Sequence, residues 1–557
     1  MNPKKIFVVM MALVLAIFVI SLASAFAQVD TAWVRRYKRG DYASAIAVDS
    51  SGNVYVTGAG AGYATIKYHP NGDSAWARSY NGGDDAYSIA VDASGNVYVT
   101  GLGNGWDYAT IKYLPNGDTA WVRRYEGSAH SYDAAYAIAV DGFGNVYVTG
   151  ESDDSVTDAD YATIKYYSNG DTVWVRRYDG RGGGRDLAID IAVDRSGNVY
   201  VTGRSLTFGD CATIKYYPNG DTAWVRRYNE SGNTYESGWA ITVDSSGYVY
   251  VTGGGDSSGT FDYLTIKYYP NGDIAWVRTY NGPGNGIDDA SAIAVDRSGN
   301  VYVTGYSEGV GTFEDYATIK YYSDGGTAWV TRYNGPGDSS DWANAITLDG
   351  SGNVYVTGES WDTTSSDYAT IRYDSLGNEI WVKRYNGSRN EDDYAIAIAV
   401  DDSTNVYVTG SSGFDWDYVT IKYIQPSINV ISPNGGEIWS GGYQYYIRWS
   451  SGKFVGDIKI DYSINSGASF DSLICSNCPN TGQFLWTIPC NVSSNYCRVR
   501  VCDAADCVPA DTSNADFTIT YCVPVLTNYG IIVLLILMVS STIWIMRRKK
   551  LISQRNI

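Results

Sequence analysis

The chain has 557 residues, 45% of them hydrophobic, and its 60 acids against 41 bases leave a net charge of −19. Neutralising phosphates requires a cationic surface, so this balance excludes a nucleic-acid partner. With 61 Gly, 50 Tyr and only 5 Met, and no helical periodicity, the composition excludes a helical protein and suits an exported, strand-rich, all-β one.

In chain order, Lys4 and Lys5, an apolar run from Ile6 to about Leu22, and Ala25-Phe26-Ala27 form the pattern of a removed export signal over residues 1–27. An uncleaved anchor is the alternative. Next comes DTAWVRRY, Asp30 to Tyr37, which returns at Asp118 to Tyr125 and at Asp221 to Tyr228. A larger repeat contains it. VYVTG begins at Val54, Val97, Val146, Val199, Val249, Val301, Val354 and Val406, eight copies spaced 43 to 53 residues apart. That period is one four-stranded propeller blade. Each unit holds four β-branched and aromatic runs, here called strands A to D, as in Ala137–Val140, Asn145–Gly150, Tyr161–Tyr166 and Trp174–Tyr178. Asp-x-x-Gly-Asn separates A from B, and Asn-Gly-Asp separates C from D, both tight reversals that tolerate positive φ.

Strand D, Trp-x-x-x-Tyr, also occurs eight times, starting at Trp33, Trp76, Trp121, Trp174, Trp224, Trp276, Trp329 and Trp381. The first precedes any strand A, and the last unit ends after strand C at Tyr423. The N-terminal strand is therefore expected to complete the last blade of an eight-bladed β-propeller over residues 28–424, zipping the ring so that no bare sheet edge remains. The run Asp41 to Gly58 resembles the bacterial β-propeller repeat family often called seven-bladed, pattern Asp-x-Ala-x-x-Ile-Ala-Val-Asp-x-x-Gly-Asn-Val-Tyr-Val-Thr-Gly, and the likeness covers about residues 30–424. Eight copies depart from the family's usual name.

Antiparallel order puts the D-to-A and B-to-C loops on one face and the A-to-B and C-to-D turns on the other. The turns hardly vary between units, whereas the loops differ in length and chemistry, so the loop face is the candidate site. It carries Trp106, Trp239, Trp342, Trp361 and Trp416, which with neighbouring acids would stack on sugar rings or anchor a protein. The competing reading packs these indoles under their own loops. Acids recur where strand A begins: Asp41, Asp84, Asp133, Asp186, Glu236, Asp288, Asp341 and Asp393. Such a ring would hold Ca²⁺, or each carboxylate accepts backbone N–H groups, the expected use. No cofactor or metal site is otherwise expected. Lys67, Lys112, Lys165, Lys215, Lys267, Lys320, Arg372 and Lys422 share one place in strand C, and Arg35 or its equivalents recur in strand D; cross-strand charge pairing is expected of them. Two His, His69 and His130, lie in different repeats without a catalytic companion, so the chain is not expected to be an enzyme. The rival is a secreted lyase or glycoside hydrolase using acids on the loop face.

Residues 425–521 read as a separate β-sandwich, with strands in YYIRWSS (Tyr445–Ser451), DIKIDYS (Asp457–Ser463), FLWTIP (Phe484–Pro489) and CRVRVCD (Cys497–Asp503). SPNGGEIWSGG, IRWSS, TGQFLWTIP and DFTI are similar to the immunoglobulin-like domain of yeast cell-wall synthesis proteins, which implies a surface-associated spacer. Cys475, Cys478, Cys490, Cys497, Cys502, Cys507 and Cys522 crowd this part. Three disulfides with one thiol left over are expected, in a pairing the spacing does not decide; Cys475 and Cys478 are alternatively half of a metal knuckle. Residues 522–557 are expected to hold a transmembrane helix. Ile531 to Met546 is nearly all apolar, Leu526 to Gly530 extends it, and Arg547, Arg548, Lys549 and Lys550 follow. VPVLTNYG (Val523–Gly530), the apolar run and RRKK resemble a sorting signal of the IPTL-CTERM type, which implies an exosortase-like processing enzyme; cleavage and membrane retention both stay open. The expectation is an exported, surface-displayed binding or structural protein, its propeller outside and its basic C-terminus cytoplasmic, meeting an extracellular protein or glycan.

Overall fold

Short runs of β-branched and aromatic residues, broken by glycine-containing turns, become strands whose two faces are buried by neighbouring sheets. The computed structural model describes residues 29–522 and 528–553, apart from 39, 61, 129–130, 155–157, 181–183, 206–208, 230–234, 257–259, 453–454, 505–506 and 508–509. The expected export signal, residues 1–27, lies outside the described residues. Two units separate at Gln425 and Pro426.

The first unit contains eight four-stranded sheets. In the first, β2 (Gly40–Val48), β3 (Val54–Gly60), β4 (Tyr63–Tyr68) and β5 (Ser74–Tyr80) lie side by side in chain order. Six more repeat that order. The eighth takes strands Asp393–Val400, Val406–Ser412 and Asp417–Ile424 from the end of the unit and β1 (Asp30–Tyr37) from its start. β1 runs antiparallel to Asp417–Ile424, from Asp30 opposite Ile424 to Tyr37 opposite Tyr418. The eighth sheet packs on the first: Trp33, Val54, Tyr407 and Tyr418 share one buried cluster, and Tyr418 donates its hydroxyl proton to the Ala59 carbonyl at 2.6 Å. The ring of sheets is closed.

Each turn between A and B is held by its aspartate. Asp49 accepts the backbone N–H groups of Ser51 and Asn53, the Asn53 amide and the Tyr55 hydroxyl, all at 2.8–2.9 Å. Burial works to raise the Asp49 pKa, but these four donors outweigh it and hold the carboxyl below its ordinary value. Strand B is buried throughout, as in β3. Its glycine is obligatory because strand A bulges toward it: a Cβ on Gly150 would lie 1.9 Å from the Ala134 carbonyl oxygen.

Sheets are joined at the turn face by the strand D tryptophan and the strand C lysine. Trp76 Nε1 and Lys67 Nζ both donate to the Pro115 carbonyl of the next sheet, at 3.1 and 3.3 Å, and Lys67 also lies 5.0 Å from the centre of the Tyr55 ring. The arrangement recurs around the ring. This differs from the expected charge pairing of the lysines, because their stems point between sheets, where the available acceptors are turn carbonyls. Pairing with acids belongs instead to the second arginine of strand D. Arg177, Arg332 and Arg384 meet Asp160, Asp315 and Asp367, each at 2.9 Å.

The second unit has a three-stranded sheet, Ile428–Ser432, Gln444–Ser451 and Gln483–Thr487, and a larger sheet built on Ser494–Asp503. One core that includes Trp439, Trp449, Trp486, Val499 and Phe517 fills the space between them. Disulfides join Cys475 to Cys478, Cys490 to Cys522 and Cys502 to Cys507, and Cys497 is a buried free thiol. Helix α1 spans Asn528–Ser553. The expected transmembrane helix is overturned: among the described residues no helix is long and apolar enough to cross a membrane. The apolar run from Ile531 stops at Met546, before Arg547, and holds Ser540, Ser541 and Thr542. At 1.5 Å per residue it covers about 24 Å of a hydrocarbon core of about 30 Å.

Candidate functional site

In each sheet of the ring the start of A, the end of B, the start of C and the end of D meet at one edge, as Asp133 opposite Ser152 and Tyr161 opposite Tyr178 show for the third. All five expected tryptophans lie along that edge, in four of the eight sheets. Trp106, in the B-to-C loop of the second sheet, is 57% exposed; Trp416, in the same loop of the eighth, is 47% exposed; Trp342, in strand A of the seventh, is 42% exposed. Trp239 and Trp361 are half-buried. Trp239 is committed within the protein, donating Nε1 to Asp289 Oδ1 at 3.0 Å beneath the Arg204 guanidinium.

Trp106 and Trp416 share a local geometry. Both have left-handed backbone, φ 66° and 52°, and their N–H groups donate at 2.9 Å to the carbonyls of Gly103 and Gly413. For a bulky side chain that conformation costs on the order of 1–3 kcal/mol. Each is followed by the strand C aspartate that pairs with a strand D arginine, Asp107 with Arg124 at 3.0 Å and Asp417 with Arg36 at 3.4 Å. Trp416 stacks one face on Tyr394, ring centres 5.5 Å apart and planes 13° from parallel. Trp106 meets Tyr132 obliquely at 6.3 Å, and Trp342 lies 5.7 Å from Tyr306.

The acids at the start of strand A are structural in five sheets. Asp133, Asp186, Asp288, Asp341 and Asp393 are buried and accept the N–H of a glycine six residues earlier, at 2.5–2.7 Å. Asp84 is exposed, and the Asp41 side chain lies outside the described residues.

Other groups on this edge carry chemistry that the repeat pattern hides. Burial raises Asp289 to about 7, against the opposing pull of the Trp239 hydrogen bond, and raises Glu359 to about 7 against its bond from Ser366. The fully buried Glu151 is held by Arg185 through two bonds of 2.7 and 2.8 Å and accepts the Tyr136 hydroxyl. Their signal in the sequence is variation at two positions that the repeat does not fix: Asp289 stands where other units carry Tyr, Asp, Ala, Leu, Ser or Trp, and Glu151 and Glu359 where other units carry Ala, Leu, Arg, Gly, Tyr or Ser. The cleft beside Arg36, Arg389, Glu391 and Asp417 holds about 90 Å³, below the 300–1,000 Å³ or so typical of small-molecule sites. A larger cavity, about 510 Å³, opens on the turn face around Tyr248, Lys267 and Arg297, but Lys267 is already committed to the Ser323 carbonyl at 2.9 Å.

Residues 38–62, 79–109, 120–155, 173–207, 275–311, 328–363 and 380–415 match the family described as the beta-propeller repeat. The unmatched stretch 208–274 holds Cys211, Trp239, Tyr248 and Leu264. An uncharacterized WD repeat-containing protein, L264, of Acanthamoeba polyphaga mimivirus is 24% identical over 212 residues, which are 28% of this chain and 15% of that protein's length. Among solved structures, the Neurospora crassa Pan2 WD40 domain is similar over 72% of this chain and 98% of its own, at 11% identity and a TM-score of 0.41. The polysaccharide lyase Uly1 is similar over 61% of this chain and 89% of its own, at 12% identity and a TM-score of 0.38.

Proposed function

We propose that this chain, whose repeats are those of the beta-propeller repeat family, is an exported cell-surface protein that binds an extracellular protein or glycan through the loop face of its propeller. The observation that carries this reading is the exposure of Trp106, Trp342 and Trp416 on one edge of the ring, two of them on strained backbone. An exposed indole offers a flat apolar face beside polar groups, which suits a sugar ring or a protein anchor. Three disulfides in the second unit support export, since they persist in oxidising compartments. That unit is read as an immunoglobulin-like spacer, and Val523–Gly530 as the motif met by an exosortase-like processing enzyme.

The test is retention on glycan and surface-protein arrays. The full chain carrying Trp106→Ala and Trp416→Ala is expected to lose at least ~10-fold in retention while melting like the wild type. Equal retention overturns the reading. A secreted polysaccharide-cleaving enzyme is the second reading, favoured by Asp289 and Glu359, whose values near 7 suit general acid–base work. Polysaccharide cleavage by the wild type that disappears in Glu359→Gln would decide for it.

A further inference from the structure

We propose that Asp160, Asp179 and Asp186 form a calcium site at the junction of the third and fourth sheets. Asp160 lies near the start of strand C of the third sheet (Asp158–Tyr166), Asp186 begins strand A of the fourth, and Asp179 lies in the loop that joins the two sheets. One carboxylate oxygen from each lies within 4.8 Å of the others. Asp160 is 4% and Asp186 1% exposed, while Asp179 faces solvent. Asp186 uses Oδ2 to accept the Gly180 N–H at 2.5 Å, and its Oδ1 is buried without a hydrogen bond among the described residues. The same oxygen is left open on Asp133, Asp341 and Asp393. Among the described residues, only at this junction are two further carboxylates gathered beside it.

The difference arises from one residue. After the strand D tyrosine stand Asn81, Asn229, Asn281, Asn334 and Asn386 in five repeats. Asn229 shows what the amide does there, donating to Asp210 Oδ1 at 2.9 Å. Asp179 replaces that donor with an acceptor. Arg177 binds Asp160 at 2.9 Å, and Arg227, paired with Asp210 at 2.6 Å, also acts on Asp186, so two cations face four carboxylates and a charge of −2 remains when all are ionised. A hard divalent cation removes it. The donors are oxygens alone, without His or Cys, which selects against zinc. Calcium bonds of about 2.3–2.6 Å set ligands on opposite sides of the ion at most about 5.2 Å apart, so three oxygens within 4.8 Å of one another can share one ion. Waters would complete the 6–8 oxygens that calcium takes.

The test is calorimetric titration of the chelator-treated full chain with CaCl₂, paired with thermal melting in CaCl₂ and in EDTA. One site per chain is expected, with a dissociation constant on the order of 10⁻⁴–10⁻³ M, as in extracellular calcium modules. Asp179→Asn installs the residue that five other repeats carry, and it should abolish this binding. The melts should cross: in EDTA the variant melts above the wild type, because three facing carboxylates have become two, and in millimolar CaCl₂ the wild type melts above the variant. A flat titration of the wild type overturns the proposal without reference to any variant. Undiminished binding by Asp179→Asn overturns it equally.

Discussion

At the scale of single residues, the loop face is unusual in placing carboxyls where ionisation is costly. Asp289 is partly buried, with the Trp239 indole N–H as its side-chain partner, and burial raises it from 3.8 to about 7 against that bond and the Ala290 backbone N–H. A carboxyl raised on folding binds its proton more tightly in the native than in the unfolded chain. Its contribution is therefore fully present below the unfolded value near 3.8 and is lost as pH rises through the folded value near 7. Asp289→Asn keeps an acceptor for Trp239 without the charge. It should raise stability at pH 8 by about 2 kcal/mol, half of the full linkage value for three pKa units, and leave it nearly unchanged at pH 4. Melting curves at the two pH values check this, and an equal gain at both would show that the charge is not the cause. Such residues escape a reading by periodicity, because a repeat identifies what is common to its copies, and this position varies freely, being Asp85 and Asp289 in two units but Tyr42, Ala134, Leu187, Ser237, Trp342 and Tyr394 in the others.

At the scale of elements, the fourth sheet shows how one repeat departs from the rest and is compensated. In six of the eight sheets strand C opens with a tyrosine whose hydroxyl reaches a strand C carbonyl of the following sheet, as Tyr63 reaches Ala109 at 3.1 Å and Tyr108 reaches Ala162 at 3.0 Å. The fourth has Cys211 at that place, fully buried. In the same cluster Leu264 stands where other sheets have Ala or Val, and a Cβ on Gly238 would lie 3.0 Å from the Cys211 sulfur. Volume has moved from one sheet to its neighbour. Cys211→Tyr alone should overpack the interface and cost about 1–3 kcal/mol. Adding Leu264→Ala should recover most of that loss, a coupling that chemical denaturation of both variants and the pair measures directly. The strands themselves were legible in the sequence, since alternation and turn residues are local properties. The partners of the strand C lysines were not, because the Pro115 carbonyl that receives Lys67 is 48 residues away and belongs to a different sheet. Helix α1 was over-read for a related reason: a local apolar run shows hydrophobicity, while spanning a bilayer also demands length.

At the scale of the whole propeller, the offset of one strand decides how the ring closes and where it is imperfect. The seventh sheet faces a neighbour that has no C-to-D turn, since the eighth receives its fourth strand from the start of the chain. Trp381 consequently has a buried Nε1 without an acceptor among the described residues, whereas the other strand D tryptophans find one. The position that is Lys in seven repeats is Arg372 here, and its longer side chain reaches Gln425, which in turn donates to the Tyr355 hydroxyl at 2.8 Å and the Thr404 carbonyl at 3.0 Å. One glutamine thus replaces a missing turn. The other side of the seam depends on β1, which supplies Trp33 to the Pro70 carbonyl at 3.1 Å and Arg36 to Asp417. Removing residues 28–37 should lower the melting temperature sharply and leave the strand Asp417–Ile424 with an unpaired edge that promotes self-association. Supplying the peptide Asp30–Tyr37 in trans should restore the melt and the monodisperse state, because the site it fills is a preformed edge of seven paired residues. Unchanged melting after truncation would mean that the ring holds without its clasp, and that the offset is an accident of where the repeats begin.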